Sequence, residues 1–154
     1  MFFKKKEERA ERIEKKKERK QKKRSYKRDI IEIVLAVIAA WVLYQGLAFG
    51  LGTPLPIVSV VSNSMEPVLH RGDLLIVAKS DYQIGDIVIY NRPDTQFTIV
   101  HRIIKETDGG FVIKGDNNPV PDPGFVQENQ ILGKVQFAIP LLGYPRLALY
   151  AIGV

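Results

Sequence analysis

Read for its apolar positions, the chain changes character twice. Up to Arg28, charged side chains follow one another almost without a break. Runs such as Lys4-Lys5-Lys6 and Lys15-Lys16-Lys17 alternate with Glu, and Ile13 stands alone after Phe2 and Phe3. Glu11–Lys15 and Glu18–Lys22 stand four apart with the acid first, a spacing that supports a solvated helix. Without an apolar stripe this piece cannot bury a core, so residues 1–28 are expected to form an exposed arm, helical or disordered. From Ile30 to Phe49 the pattern inverts: IIEIVLAVIAAWVLYQGLAF carries one charge, Glu32, in 20 residues. At about 1.5 Å per residue that helix spans about 30 Å, the thickness of a bilayer core. Tyr26, Trp41 and Tyr44 are placed as interfacial aromatics. A helix apolar on every side needs lipid or a large protein around it, and the remaining ~100 residues are too few to enclose it. The run also exceeds the roughly 7–15 apolar residues of a secretory signal. Ala48-Phe49-Gly50 has a small-x-small form, yet the expectation is an uncleaved anchor over residues 30–51.

From residue 53 the pattern changes again, to short β-rich runs separated by turn formers. The runs are Ile57–Val61, Asp73–Ala78, Asp86–Tyr90, Gln96–Ile104, Phe111–Lys114 and Ile131–Ala138. Between them stand His70-Arg71-Gly72, Ile84-Gly85-Asp86, Asp108-Gly109-Gly110 and the loop Pro119-Val120-Pro121-Asp122-Pro123-Gly124. Six strand candidates and no convincing internal helix predict a small all-β domain over residues 53–140, so the fold class is mainly β on a single N-terminal transmembrane helix. Residues 141–154 form an apolar tail containing Pro145 and Arg146, too short to cross a membrane. It is expected to lie in the interface, add a strand or begin a helix.

Charge sharpens this division. The whole chain is +6, but residues 1–28 hold 15 Lys/Arg against 5 Glu, a net +10, and the remainder holds 8 against 12, a net −4. The basicity is that of an arm, not of a nucleic-acid-binding domain. The arm's position before the apolar run puts it in the cytoplasm by the positive-inside rule, with the β domain outside. Contact with anionic lipid is its expected role. Cys is absent, which removes disulfides, thiolate metal sites and a Cys nucleophile.

Ser is then the natural nucleophile for acyl transfer. The stretch Ser62-Asn63-Ser64-Met65-Glu66-Pro67 leaves a strand for a turn, where a hydroxyl is both held and exposed. The two histidines are His70 and His101. His70 reads as a surface turn residue, whereas His101 sits in mid-strand and suits a base working near neutral pH. Asp116 and Asp122 each offer a carboxylate to orient a ring, and each also reads as a turn former. The His spacing of a zinc site is missing.

In order, Ser62-Asn63-Ser64-Met65-Glu66-Pro67, Arg71-Gly72-Asp73, Gly85-Asp86-Ile87-Val88-Ile89-Tyr90, Val100-His101-Arg102-Ile103 and Gly115-Asp116-Asn117-Asn118 resemble the type I signal peptidases. The version is that of archaea and the endoplasmic reticulum, and the likeness covers roughly residues 57–137. It implies a serine endopeptidase that removes signal peptides from exported preproteins, with Ser64 as nucleophile. His101 stands where bacterial relatives carry a catalytic Lys, and so as general base. Asp122 is implied as the third member, with Asp116 as second candidate. Ser62 and the Ser64 N–H are implied as an oxyanion hole. The expected partners are preproteins, membrane lipid and the translocation machinery, in the cell membrane or, in a eukaryote, the reticulum membrane. No cofactor, metal or nucleic acid is expected. Two rival readings are a Ser–Lys dyad using Lys105 or Lys114, on the argument that Lys105 shares the strand face of His101, and a non-catalytic membrane-tethered β module.

Overall fold

The structure, a computed structural model, describes Phe2–Ala151, with Met1 and residues 152–154 outside it. The side chains of residues 2–10, 18, 21–25 and 149–151 also lie outside the described ones, and with them Phe2, Phe3, the Lys4-Lys5-Lys6 run and the Glu18–Lys22 pair. The chain divides into two compact units, Met1–Gln45 and Gly46–Val154.

The first unit is helical. Helix α1 runs from Phe2 to Leu51, its end reaching into the second unit. No Gly or Pro precedes Gly46, so nothing breaks the helix where charged residues give way to apolar ones. Lys15 and Glu11 form the expected pair at 2.5 Å, and Arg28 and Glu32 approach to 3.5 Å. The segment Tyr26–Leu51, whose most apolar 18 residues have a mean hydropathy of 2.1, is the one span among the described residues long and apolar enough to cross a membrane. Its most apolar stretch is entirely unburied by protein.

The second unit is a six-stranded antiparallel sheet. Its strands are β1 (Ile57–Ser59), β2 (Leu74–Ala78), β3 (Ile87–Tyr90), β4 (Ile99–Thr107), β5 (Gly110–Lys114) and β6 (Ile131–Ile139), in the spatial order β1-β2-β6-β3-β4-β5. Both faces of the sheet are packed. Val88 and Tyr90 join Ile103, Phe111, Ile113, Val126 and Ile131 in one cluster, while Ile89 joins Val60, Met65, Leu69, Leu75 and Val77 in another. Alternate residues of a strand point to opposite faces, so β3 serves both clusters and is buried from Val88 to Tyr90. Burial of each such side chain stabilises the domain by about 1.5–3 kcal/mol.

The strands differ from the expected runs mainly at their ends. β4 starts at Ile99, the partner of Tyr90 at the end of β3, and Gln96–Thr98 lie beyond that pairing. It continues to Thr107 because Glu106 and Thr107 pair with Phe111 and Gly110 in a hairpin. A register shift lies between Ile103 and Lys105, which corrects the expectation that Lys105 shares the face of His101: the extra residue ends the alternation. Ile103 is fully buried and Lys105 exposed. In the tail, Tyr144–Ala151 form a short helix, α2, with Leu147 buried. Pro145 stands in its first turn, where the missing N–H is tolerated.

Candidate active site

The turn after β1 carries Ser64. Its approach is fixed by two backbone bonds at 2.9 Å, from Val60 N–H to Asp73 C=O and from Gly72 N–H to Val60 C=O. The buried Asp73 carboxylate accepts from the His70 N–H at 2.8 Å and the Leu141 N–H at 3.4 Å. Met65, 1% exposed, plugs the turn into the core. Its C=O accepts from Val68 and Leu69, both at 3.0 Å. Ser64 is therefore anchored on its C-terminal side by the most buried side chain of the turn.

A second segment clamps the same turn. Asn117 donates its N–H to Ser64 C=O at 2.9 Å and its side-chain amide to Asn63 C=O at 3.1 Å. Gly115 explains how the two can lie so close. A Cβ there would stand 2.7 Å from Ser64 O and 2.8 Å from both His101 Nε2 and Asn118 Nδ2. Only a residue without a side chain fits.

His101 lies on β4 opposite Val88 and is 7% exposed. Its Nε2 is 3.0 Å from Ser64 Oγ, and its Nδ1 is 2.6 Å from Asp122 Oδ2. Asp122 is held by a bond from its N–H to Ile113 C=O at 2.9 Å. An ionised carboxylate only accepts hydrogen bonds. With Asp122 as the acceptor, a neutral ring carries its proton on Nδ1 and presents the Nε2 lone pair to Ser64. The hydroxyl of Ser62 lies 3.1 Å from Ser64 Oγ. Among the described residues, the Ser64 N–H donates to none.

Strand alternation separates the two candidate carboxylates. His101 and Arg102 are consecutive and point to opposite faces. Asp122 meets His101, whereas Asp116 receives a forked pair of bonds from Arg102, at 2.8 Å from Nε and 2.7 Å from Nη2. Arg102 also donates to Gly85 C=O at 2.6 Å. This hydrogen bonding, and secondarily the charge of Asp116, outweighs desolvation and raises the Arg102 guanidinium above its ordinary range. Asp116 thus ties the loop to the strand and makes no bond to His101. His70 is exposed and engages the site only through its backbone.

One member of the constellation had no role in the sequence reading. The Tyr90 O–H donates to Asp122 Oδ2 at 2.6 Å, the oxygen that also serves His101. Burial first, then the hydrogen bond to Asp122 and its charge, push the phenol far above the ordinary tyrosine range. Tyr90 therefore stays a donor at any working pH. Its tyrosine was quoted within a motif, but nothing in a linear sequence says which carboxylate a strand side chain meets.

Ser62, Ser64 and His101 line a cleft of about 540 Å³ in the second unit, walled also by apolar groups that include Val60, Met65, Phe97 and Val100 and by the polar Gln96, Thr98 and Arg146. Ser59 also lines it, and its buried hydroxyl has no partner among the described residues. Among the described residues, no three His, Asp or Glu side chains converge as a metal site requires. The cleft presents a hydroxyl and an imidazole, and a carboxylate stands behind the imidazole in one hydrogen-bonded line, the arrangement of nucleophilic acyl transfer.

Comparison with known proteins bears on this geometry. The sequence profile of the Peptidase S24-like family matches residues 27–136. The signal peptidase complex catalytic subunit sec11 of Pyrenophora teres f. teres is 34% identical over 135 residues, covering 78% of each chain. The subunit of the same name from Pyricularia oryzae is also 34% identical, over 137 residues and 78% of each chain. The signal peptidase complex catalytic subunit SEC11C of Homo sapiens is 36% identical over 129 residues, 74% of this chain and 67% of the human one.

Proposed function

This chain belongs to the Peptidase S24-like family, and from that premise we propose that it is the serine endopeptidase that removes signal peptides from exported preproteins. The observation that carries the reading is the unbroken line Ser64 Oγ, His101 Nε2, His101 Nδ1 and Asp122 Oδ2, whose Ser64 and His101 line a largely apolar cleft.

Ser64 Oγ attacks the carbonyl carbon of the scissile peptide while His101 Nε2 takes its proton. Asp122 accepts from Nδ1–H and stabilises the imidazolium that forms. The oxyanion is received by the Ser64 N–H and the Ser62 hydroxyl, each contributing about 10²–10³ in rate. The intermediate collapses as His101 returns its proton to the leaving amine. Water, deprotonated by the same imidazole, then releases the acyl group and restores Ser64. The peptide lies extended between the chain leaving β1, Val60–Ser62, and the start of β4, where main-chain bonds give affinity and side-chain pockets give selectivity.

Tyr26–Leu51 anchors the chain in the membrane, the basic arm of residues 1–28 stays on the cytoplasmic side, and the β unit acts on the other side. Because the relatives are catalytic subunits of a complex, the chain is expected to meet its preproteins in company with other membrane proteins.

The test is cleavage of a preprotein by the purified full chain in detergent or lipid, for wild type, Ser64→Ala, His101→Ala and Asp122→Asn. Wild type is expected to cut at the signal-peptide junction. The Ser64 and His101 variants are expected to be inactive, and the Asp122 variant to lose about 10³–10⁴ in kcat. An active Ser64→Ala protein refutes the reading.

A further inference from the structure

A buried phenol beside the site is unused by the mechanism above. Tyr90 closes β3, with none of its surface exposed. On the paired strand, Val88 faces His101 and Tyr90 faces Ile99. Tyr90 and His101 are therefore diagonal neighbours on one face of the sheet, a separation that long side chains bridge. They converge on the same atom: Tyr90 Oη and His101 Nδ1 are each 2.6 Å from Asp122 Oδ2.

We propose that Tyr90 is a positioning residue of the active site: its O–H, donated to Asp122 Oδ2, holds that carboxylate as the acceptor for His101 Nδ1–H and so keeps Nε2 free for the Ser64 proton. Two donors on one oxygen occupy both of its lone pairs, so Oδ2 acts as an acceptor only. The phenol also supplies a fixed point that the loop lacks. Asp122 stands between Pro121 and Pro123, and its backbone is tied to the sheet by its bond to Ile113 C=O. The side chain could still rotate about that backbone. With Tyr90 and His101 on the same oxygen, the carboxylate has one orientation. The role is confined to geometry and charge, because the Tyr90 hydroxyl is bonded to Asp122 and Tyr90 is not itself part of the cleft lining.

This inference rests on the reading of Ser64, His101 and Asp122 as the reacting groups, and Tyr90→Phe separates the two. The variant keeps the ring in its core cluster and deletes one oxygen. A role in packing alone predicts no change in turnover. A positioning role predicts a fall in kcat of about 10- to 100-fold, the range for a lost hydrogen bond to a charged group. KM should stay within twofold, because the cleft is untouched. A second readout does not depend on turnover. The chain has two histidines, so ¹⁵N-histidine labelling of the full chain in detergent, with His70→Gln for assignment, reports the His101 Nδ1–H proton directly. That low-field resonance should shift or broaden in Tyr90→Phe and stay sharp in Lys105→Ala. A Tyr90→Phe protein with wild-type kcat and an unmoved resonance overturns the inference while leaving the proposed peptidase intact. If wild type does not cleave at all, the functional reading fails on its own, and the resonance alone decides the role of Tyr90.

Discussion

Replacing Gly115 by Ala tests how tightly the site is assembled. The added Cβ would meet Ser64 O at 2.7 Å and His101 Nε2 and Asn118 Nδ2 at 2.8 Å. Carbon makes ordinary contacts at about 3.5 Å and beyond, so each neighbour must yield by about 0.7 Å. Asn118 can swing its amide aside. Ser64 O is backbone, tied to Asn117 at 2.9 Å, and His101 is buried on a central strand. The displacement therefore falls on the Ser64–His101 bond, which starts at 3.0 Å. A misplacement of about 1 Å at a reacting centre costs about 10²-fold in rate. The expected loss is thus roughly 10- to 100-fold in kcat, together with an overpacking cost of about 1–3 kcal/mol in stability. The assay pairs preprotein cleavage under saturating substrate with a denaturant titration at the same temperature, so that lost turnover is measured on folded protein. Gly115 shows no left-handed backbone angle, so Ala introduces contact and not backbone strain. A folded Gly115→Ala protein with wild-type kcat would refute the claimed close approach.

Three further outcomes follow from other contacts. Asp116→Asn should weaken the forked pair with Arg102 and lower stability by about 1–2 kcal/mol, while kcat at a temperature where the protein is folded stays within about threefold of wild type. Lys105→Ala should leave cleavage unchanged and stability within about 0.5 kcal/mol, because the side chain is exposed beyond the bulge; loss of activity there would revive a Ser–Lys mechanism. The Tyr90 phenol holds its proton more tightly in the folded chain than in the unfolded one, whose tyrosines titrate near 10. Its contribution to stability is therefore complete below pH about 10 and is lost as pH rises through the folded value. Denaturant titrations from pH 8 to 11 should show stability falling more steeply at the alkaline end in wild type than in Tyr90→Phe.

Much of the sheet could be read in the sequence because its strands are short β-branched runs between Gly, Asp and Pro. What could not be read is where pairing stops. Gln96–Thr98 are as β-prone as their neighbours, but β3 ends at Tyr90, so they have no partner on that side. The bulge after Ile103 is likewise a property of two strands together, and an argument from alternation along one strand missed it. The helix in the tail is eight residues long, too short for a hydrophobic period to declare itself. For the site, the residue types and their order pointed to Ser64, His101 and a carboxylate in the loop beyond Gly115. The choice between Asp116 and Asp122 needed the face on which Arg102 lies. Tyr90 needed the same information, since its partner is 32 residues away.

The strand order has a consequence for timing. β6 lies between β2 and β3, so it is the seam between the ribbon that leads to Ser64 and the ribbon that carries His101. It also follows the other five described strands in the chain, so a growing chain holds it after them. A growing chain holds Ser64, His101 and Asp122 well before it holds the strand that joins their two halves. The ribbon that leads to Ser64 and the ribbon that carries His101 are therefore joined into one sheet only once β6 is added.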